Sequence, residues 1–130
     1  MNENFGFESL ELWKKVRVFK IEICRIARLF PADEKFKLID QIIRSVRSIN
    51  ALISEGQEDL LIPIKYICIL ARGSLSETIN HLIDAFDDKY ITEIQLRDLK
   101  IKGKEIELII NGYIIFLRKK RDEGKGNKKE

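Results

Sequence analysis

The amino-acid sequence predicts an all-α protein, an antiparallel four-helix bundle wound up-down-up-down. Three observations lead there. Apolar residues recur at steps of three and four along four separate segments. Only two prolines, Pro31 and Pro63, occur in 130 residues, so long helices can run between them. The composition is 45% hydrophobic and 35% charged, which suits rods with one buried stripe and a heavily charged opposite face. A chain of this length fits one domain and can bury a core without disulfide or metal staples.

The first helix is expected from about Ser9 to Phe30. Ser9 is its N-cap candidate, and Trp13, Val16, Phe19, Ile23, Ile26 and Phe30 form its apolar stripe. Pro31 ends it, because the residue before proline is pushed out of the helical region. The second helix runs from Ala32 or Asp33 to Glu55, with Asp33 and Glu34 complementing the macrodipole at its start. Ile39, Ile42, Val46, Ile49 and Ile53 alternate steps of three and four, the seam of a coiled-coil-like packing. Gly56 is its expected stop.

A short acidic loop covers Gly56 to Ile62. Pro63 suits the first turn of the third helix, where its missing N–H costs nothing. That helix continues to about Asp87 on a stripe of Ile64, Ile67, Ala71, Leu75, Ile79, Leu82 and Phe86. A turn over Asp87–Ile91 follows. Thr92-x-x-Gln95 then reads as a capping box opening the fourth helix, which runs to about Lys120 on Leu99, Ile106, Ile110, Tyr113 and Leu117. Gly103 and Gly112 each weaken it by about 1 kcal/mol relative to alanine. Residues 1–121 are assigned to the bundle, and 122–130, which hold no apolar residue, to a disordered basic tail.

Several helices carry apolar residues on a second face: Val18 and Ile21, Phe36 and Leu38, and Ile109, Ile114, Ile115 and Phe116. One four-helix core cannot hold so wide an arc, so self-association is expected.

Little in the sequence carries chemistry. Cys24 and Cys68 form no CxxC pair and there is one histidine, so a zinc site of ordinary composition is out of reach. Both thiols lie in apolar stretches and read as buried groups in a reducing cytoplasm. The polar N-terminus has no signal-peptide character, and no apolar run approaches the ~20 residues of a membrane span. Glu77, His81 and Asp84 can share a helix face, but Glu-x-x-x-His is not the Glu-x-x-His of di-iron bundles; a solvated polar face is the reading. No serine has an evident histidine partner. The expectation is a non-enzyme with no cofactor, metal or small-molecule substrate.

The formal net charge is +3. Residues 118–130 contribute +4, from seven Lys/Arg and three Asp/Glu, which leaves −1 for the rest. Candidate nucleic-acid contacts are Lys14, Lys15, Lys20 and Arg28 in the first helix and Arg118, Lys119, Lys120 and Arg121 at the end of the fourth. Arg17 and Arg25 add to the first cluster, against Glu11 and Glu22. The helix dipole alone favours cations at a C-terminus, which accounts for much of the second cluster. Phosphate binding by such faces is independent of sequence and falls steeply with salt.

Two segments carry a resemblance. Gln41-Ile42-x-Arg44-Ser45-x-x-Ser48-Ile49, followed by Ile53-x-Glu55-Gly56, and Ala71-Arg72-Gly73-Ser74-Leu75-x-Glu77 are similar to the second- and third-helix signatures of the four-helix bundle proteins, also called 23S rRNA-intervening-sequence proteins. Phe7-x-x-Leu10-x-x-Trp13, and Phe30-Pro31-x-x-Glu34 followed by Leu38 and Gln41, agree in order and spacing, so the resemblance covers about residues 5–117. It implies a small bacterial bundle that assembles as a homopentamer and has no enzymatic activity. Some members are encoded in inserts within ribosomal RNA genes, and a related group binds nucleic acid as accessory proteins to reverse transcriptases. The chain departs from the pattern at Leu52, where asparagine is usual, and in the acidic Gln57-Glu58-Asp59-Leu60-Leu61, where the family's loop is basic. That acidity counts against phosphate contact by the loop.

The motif residues Gln41, Arg44, Ser48, Glu55, Gly56, Gly73, Ser74 and Glu77 also have a structural reading, as polar stripes beside the apolar seams. A turn centred near residue 59 sets Arg44 opposite Ser74, one turn from Glu77. An Arg44–Glu77 ion pair is therefore expected, with Gly73 and Ser74 letting the backbones approach; such a pair fixes register more than it adds stability. The function expected is an oligomeric scaffold associated with RNA, DNA or a nucleic-acid enzyme. The alternative is a protein-interaction module with no nucleic-acid role.

Overall fold

The computed structural model describes residues 3–58 and 64–128, with the side chains of 57, 58, 120, 121 and 124–128 left undescribed. Its helices are α1 (Glu11–Ala27), α2 (Leu38–Glu58), α3 (Ile64–Asp87) and α4 (Glu93–Lys128), with short 3-10 turns at Gly6–Ser9 and Ala32–Glu34. Pro63 and the expected loop from residue 59 onward lie outside the described residues.

Side-chain pairings give the winding. Ser48 meets Ser74 and Ser45 meets Thr78, so numbers rise along α2 as they fall along α3. Arg72 bonds Asn111, while Ile79 lies against Gly103, which runs α4 antiparallel to α3. Glu22 bonds Lys102 and Lys15 pairs with Glu105, which closes α1 antiparallel onto α4. Each helix thus packs on its two neighbours, and the diagonal pairs make no close backbone contact among the described residues.

The core is one cluster. All five residues of the α2 seam, Ile39, Ile42, Val46, Ile49 and Ile53, are buried. They meet Val16, Phe19 and Ile23 of α1, Leu75 and Leu82 of α3, and Leu99, Ile106 and Ile110 of α4. Trp13, Ile26, Ile79, Phe86 and Leu117 are half-buried at its edge, whereas Ile64 and Tyr113 are exposed. Leu38 and Ile114, read as surplus from sequence, are buried. Ile114 keeps phase with Ile106 and Ile110, and Leu38 with Ile42.

Element ends differ from expectation for local reasons. Ser9 does not cap α1: its hydroxyl donates to the Gly6 carbonyl at 2.8 Å inside the preceding turn, and Leu10 holds the cap position. α1 stops at Ala27, where Leu29 and Phe30 tighten into bonds to Ile26 and Ala27 ahead of Pro31. α2 begins at Leu38, whose N–H donates to Glu34 Oε2 at 3.3 Å. It does not stop at Gly56 but continues to Glu58. α4 passes Lys120 and is helical to Lys128, beyond the last core side chains. Extending a formed helix costs little per residue, and Lys, Arg and Glu are good helix formers.

The turn between α3 and α4 is a Schellman motif. Tyr90 N–H bonds Ala85 O at 2.8 Å and Lys89 N–H bonds Phe86 O at 2.9 Å. Lys89 takes the left-handed position with φ 66°, where glycine is usual. The predicted capping box follows: Gln95 N–H donates to Thr92 Oγ1 at 3.1 Å, and Thr92 N–H to Gln95 Oε1 at 2.8 Å.

Candidate nucleic-acid interface

Two groups of polar residues stand out from the apolar seams: the motif residues of α2 and α3, and the cations of α1 and α4. The α2–α3 seam is in a register one turn from the expected one, and only some of the motif residues face it. Arg44 is highly exposed and pairs with Asp40 on its own helix, Nε to Oδ2 at 3.2 Å. Glu77 pairs with His81, also on its own helix, at 3.4 Å. The expected Arg44–Glu77 bridge is therefore replaced by two separate pairs. Its place is taken by hydroxyls: Ser48 Oγ to Ser74 Oγ at 3.1 Å, and Thr78 Oγ1 to Ser45 Oγ at 2.9 Å.

The glycines also change roles. Gly73 is exposed, with nothing within 4 Å of where a Cβ would sit. The close approach is at Gly56, where a Cβ would lie 3.0 Å from Ile67 Cγ2. Gln41 and Glu55 point outward and reach no buried partner. Ser48, Gly56 and Ser74 thus have packing roles, and Arg44, Glu55 and Glu77 are surface groups.

The cations do not converge on one surface. Lys15 is taken up by Glu105 at 3.5 Å, across the α1–α4 seam. Lys14 is exposed beside the same seam, and Lys20 is half-buried. Arg28 lies at the other end of α1 and lines a groove with Lys35 and Arg47. Arg118 and Lys119 are exposed near the end of α4, at the bundle end away from Arg28, and the Lys120 and Arg121 side chains lie outside the described residues. Lys14, Arg17, Lys20, Arg25 and Arg28 have no ion pair among the described residues; Arg17 lies over the Trp13 ring at 5.7 Å. Sequence reasoning passed over Arg47 and Lys35, whose proximity to Arg28 depends on the α1–α2 corner and leaves no periodic trace.

Nucleophilic and metal chemistry finds little here. Cys24 and Cys68 are free and buried, and burial pushes the Cys68 thiol up from its ordinary range, away from a reactive thiolate. No group of three potential metal ligands occurs among the described residues. Asn50, buried in α2, has no partner for either side-chain polar atom, and His81 Nδ1 has none. Among the described residues, no helix is long and apolar enough to cross a membrane.

Comparison with known proteins gives one family and one fold. The family model described as 23S rRNA-intervening sequence protein matches residues 8–112. Among solved structures, one that matches is a protein of unknown function from the S23 ribosomal protein family of Bacteroides thetaiotaomicron VPI-5482, a crystal structure at 1.70 Å. It is 24% identical, with a TM-score of 0.72, over 79% of this chain and 94% of that one, and the likeness speaks to the fold. Nothing among curated proteins matches the chain.

Proposed function

The chain belongs to the 23S rRNA-intervening sequence protein family, and from that premise we propose that it works as a non-enzymatic, self-associating helical scaffold that holds RNA or DNA by the phosphates. One observation carries the nucleic-acid part. Lys14, Arg17, Lys20 and Arg25 of α1, and Arg28 just past its end, have no ion pair among the described residues, while Glu22 of α1 is drawn to Lys102 at 2.7 Å. A segment that sends Glu22 to a neighbour and leaves every base but Lys15 unpaired among the described residues suits a polyanion.

Self-association is supported by the apolar side chains that the subunit leaves outside. Val18, Ile21, Ile115 and Phe116 are all exposed. The ring of five that the family resemblance implies would multiply each basic face. The two buried free thiols suit a reducing compartment, and we place the protein in the cytoplasm.

Filter binding to mixed RNA and DNA across a salt series tests the scaffold reading. The expected result is binding at roughly 50 mM salt that weakens steeply with added salt, and a large loss in Arg17→Glu/Arg25→Glu. No binding at low salt, or a binding constant indifferent to salt, would defeat it.

A further inference from the structure

The groove at the α1–α2 corner has features that a phosphate-only surface does not need. It is open to solvent and offers about 520 Å³, within the ~300–1,000 Å³ range of sites that hold small organic groups. Arg28, Lys35 and Arg47 line it, and none of the three has an ion pair among the described residues. Its apolar wall is Phe30, Ile39 and Ile43. The one carboxylate in the lining, Asp40, is already engaged by Arg44 at 3.2 Å. Of the nearby acids, Glu34 is held by the Tyr90 hydroxyl at 3.1 Å and by the Leu38 N–H, and Asp33 stays exposed.

Beside the groove stands Phe36, 85% exposed. The Lys35 ammonium sits 5.4 Å from the centre of its ring, so the aromatic face and a groove cation form one unit. A bare phenyl ring there has no use in the subunit's own packing.

Resting on the scaffold reading above, we propose that this corner is a site for unpaired nucleotides, with a base stacked on Phe36 and the flanking phosphates held by Arg28, Lys35 and Arg47. Charge complementarity selects an anion. The exposed ring beside the cations selects a planar aromatic body attached to that anion, which a single strand offers and a duplex, with its bases stacked inward, does not. Base stacking of this kind tolerates any sequence, because every base has a π-face.

The test is fluorescence anisotropy on the full chain, with a labelled single-stranded DNA oligonucleotide, the same sequence as a duplex, and vesicles containing an anionic lipid. The expected result is tighter binding of the single strand. Phe36→Ala should weaken it roughly ten-fold with the duplex affinity and salt slope unchanged, and Phe36→Trp should restore it. Arg28→Ala/Arg47→Ala should weaken the single strand and flatten its salt dependence. Phe36 and both arginines are exposed, so these variants keep the fold. Equal affinity for strand and duplex with no effect of Phe36→Ala overturns the site and leaves the scaffold reading standing. Vesicle binding that depends on Phe36, with no single-strand preference, overturns it in favour of a lipid surface. Failure of every nucleic acid to bind at low salt overturns both readings.

Discussion

Thr78 and Ser45 place their hydroxyl oxygens 2.9 Å apart in the buried seam between α3 and α2. Each has a second acceptor in reach: the Ser74 carbonyl lies 2.8 Å from Thr78, and the Ile42 carbonyl 3.0 Å from Ser45. Two hydroxyls have two protons for three contacts, so one must donate to the other while that one donates to its own helix. The helices are thereby joined one turn from the level where Ser48 meets Ser74.

Thr78→Val keeps the shape and removes one of those protons. The expected cost is about 1 kcal/mol, and Ser45→Ala a similar amount. The double variant should cost less than the sum, since neither hydroxyl is then left facing an apolar neighbour. Urea unfolding of the four proteins checks it, and strict additivity would mean that the two groups are not coupled.

The glycines separate packing from propensity. Gly56→Ala puts a Cβ 3.0 Å from Ile67 Cγ2, an atom branching directly from that residue's Cβ. The expected result is destabilisation by about 1–3 kcal/mol, the range for overpacking. Gly112→Ala meets nothing within 4 Å and should stabilise by up to about 1 kcal/mol through helix propensity. Thermal unfolding of both variants should move the midpoint in opposite directions.

Asn50 is buried with both polar atoms unpartnered. Replacing it by leucine, which has the same branching and number of side-chain heavy atoms though more bulk, removes an unmet desolvation cost of about 1–3 kcal/mol. Asn50→Leu should raise the urea midpoint. A lowered midpoint would show that the amide is bonded in the assembled protein.

How far the sequence discloses this fold depends on how local each signal is. The α2 seam and the Thr92–Gln95 cap are set within a few residues, and both stand where the sequence puts them. The Arg44–Glu77 pairing is not local. α2 runs on past Gly56, which serves a close approach to Ile67, and the α2–α3 register moves by a turn, setting Arg44 nearly level with Glu77. The pair still does not form, because packing turns both side chains outward, 80% and 61% exposed, and each meets a partner on its own helix. The candidate site fares worse for the same reason: Arg28, Lys35 and Arg47 belong to three segments that only the α1–α2 corner brings together.

Tyr90 joins the two loops at one end of the bundle. Its hydroxyl donates to Glu34 Oε1 at 3.1 Å, and its ring packs on Phe30 at 5.2 Å between centroids. Burial first, then the bond to Glu34 and the charges of Glu34, Asp88 and Asp33, raise its pKa above the ordinary 10.0. The unfolded chain therefore loses this proton at lower pH than the folded one. Stability should fall as pH rises from about 10 through the folded value, and be indifferent to Tyr90 below that window. Absorbance titration in a Tyr66→Phe/Tyr113→Phe background should give a midpoint above 10.0. Glu34→Gln should lower it only in part, because burial remains.

The outer face of α4 carries an apolar row. Ile94, Ile101, Leu108 and Ile115 repeat at seven-residue steps and are 81, 56, 70 and 56% exposed. At 100° per residue this row lies opposite the buried Leu99, Ile106, Ile110 and Ile114, facing away from the subunit's own core. It extends for about 30 Å along the helix. A strict seven-residue row drifts slowly around a straight helix, the pattern that a second helix follows when it supercoils against the first. Ile21 and Ile101 each precede a member of the bonded Glu22–Lys102 pair, so α1 adds apolar surface at the same level. If copies of the chain cover this face, Ile101→Lys/Leu108→Lys should break the assembly without unfolding the subunit. Light scattering should then fall to the 15.2 kDa of one chain. Exposed substitutions of this kind change stability by no more than about 0.5 kcal/mol, so the helical circular dichroism should persist. An unchanged assembly in the variant would move the interface elsewhere, and a wild-type protein of one-chain mass at micromolar concentration would end the self-association reading.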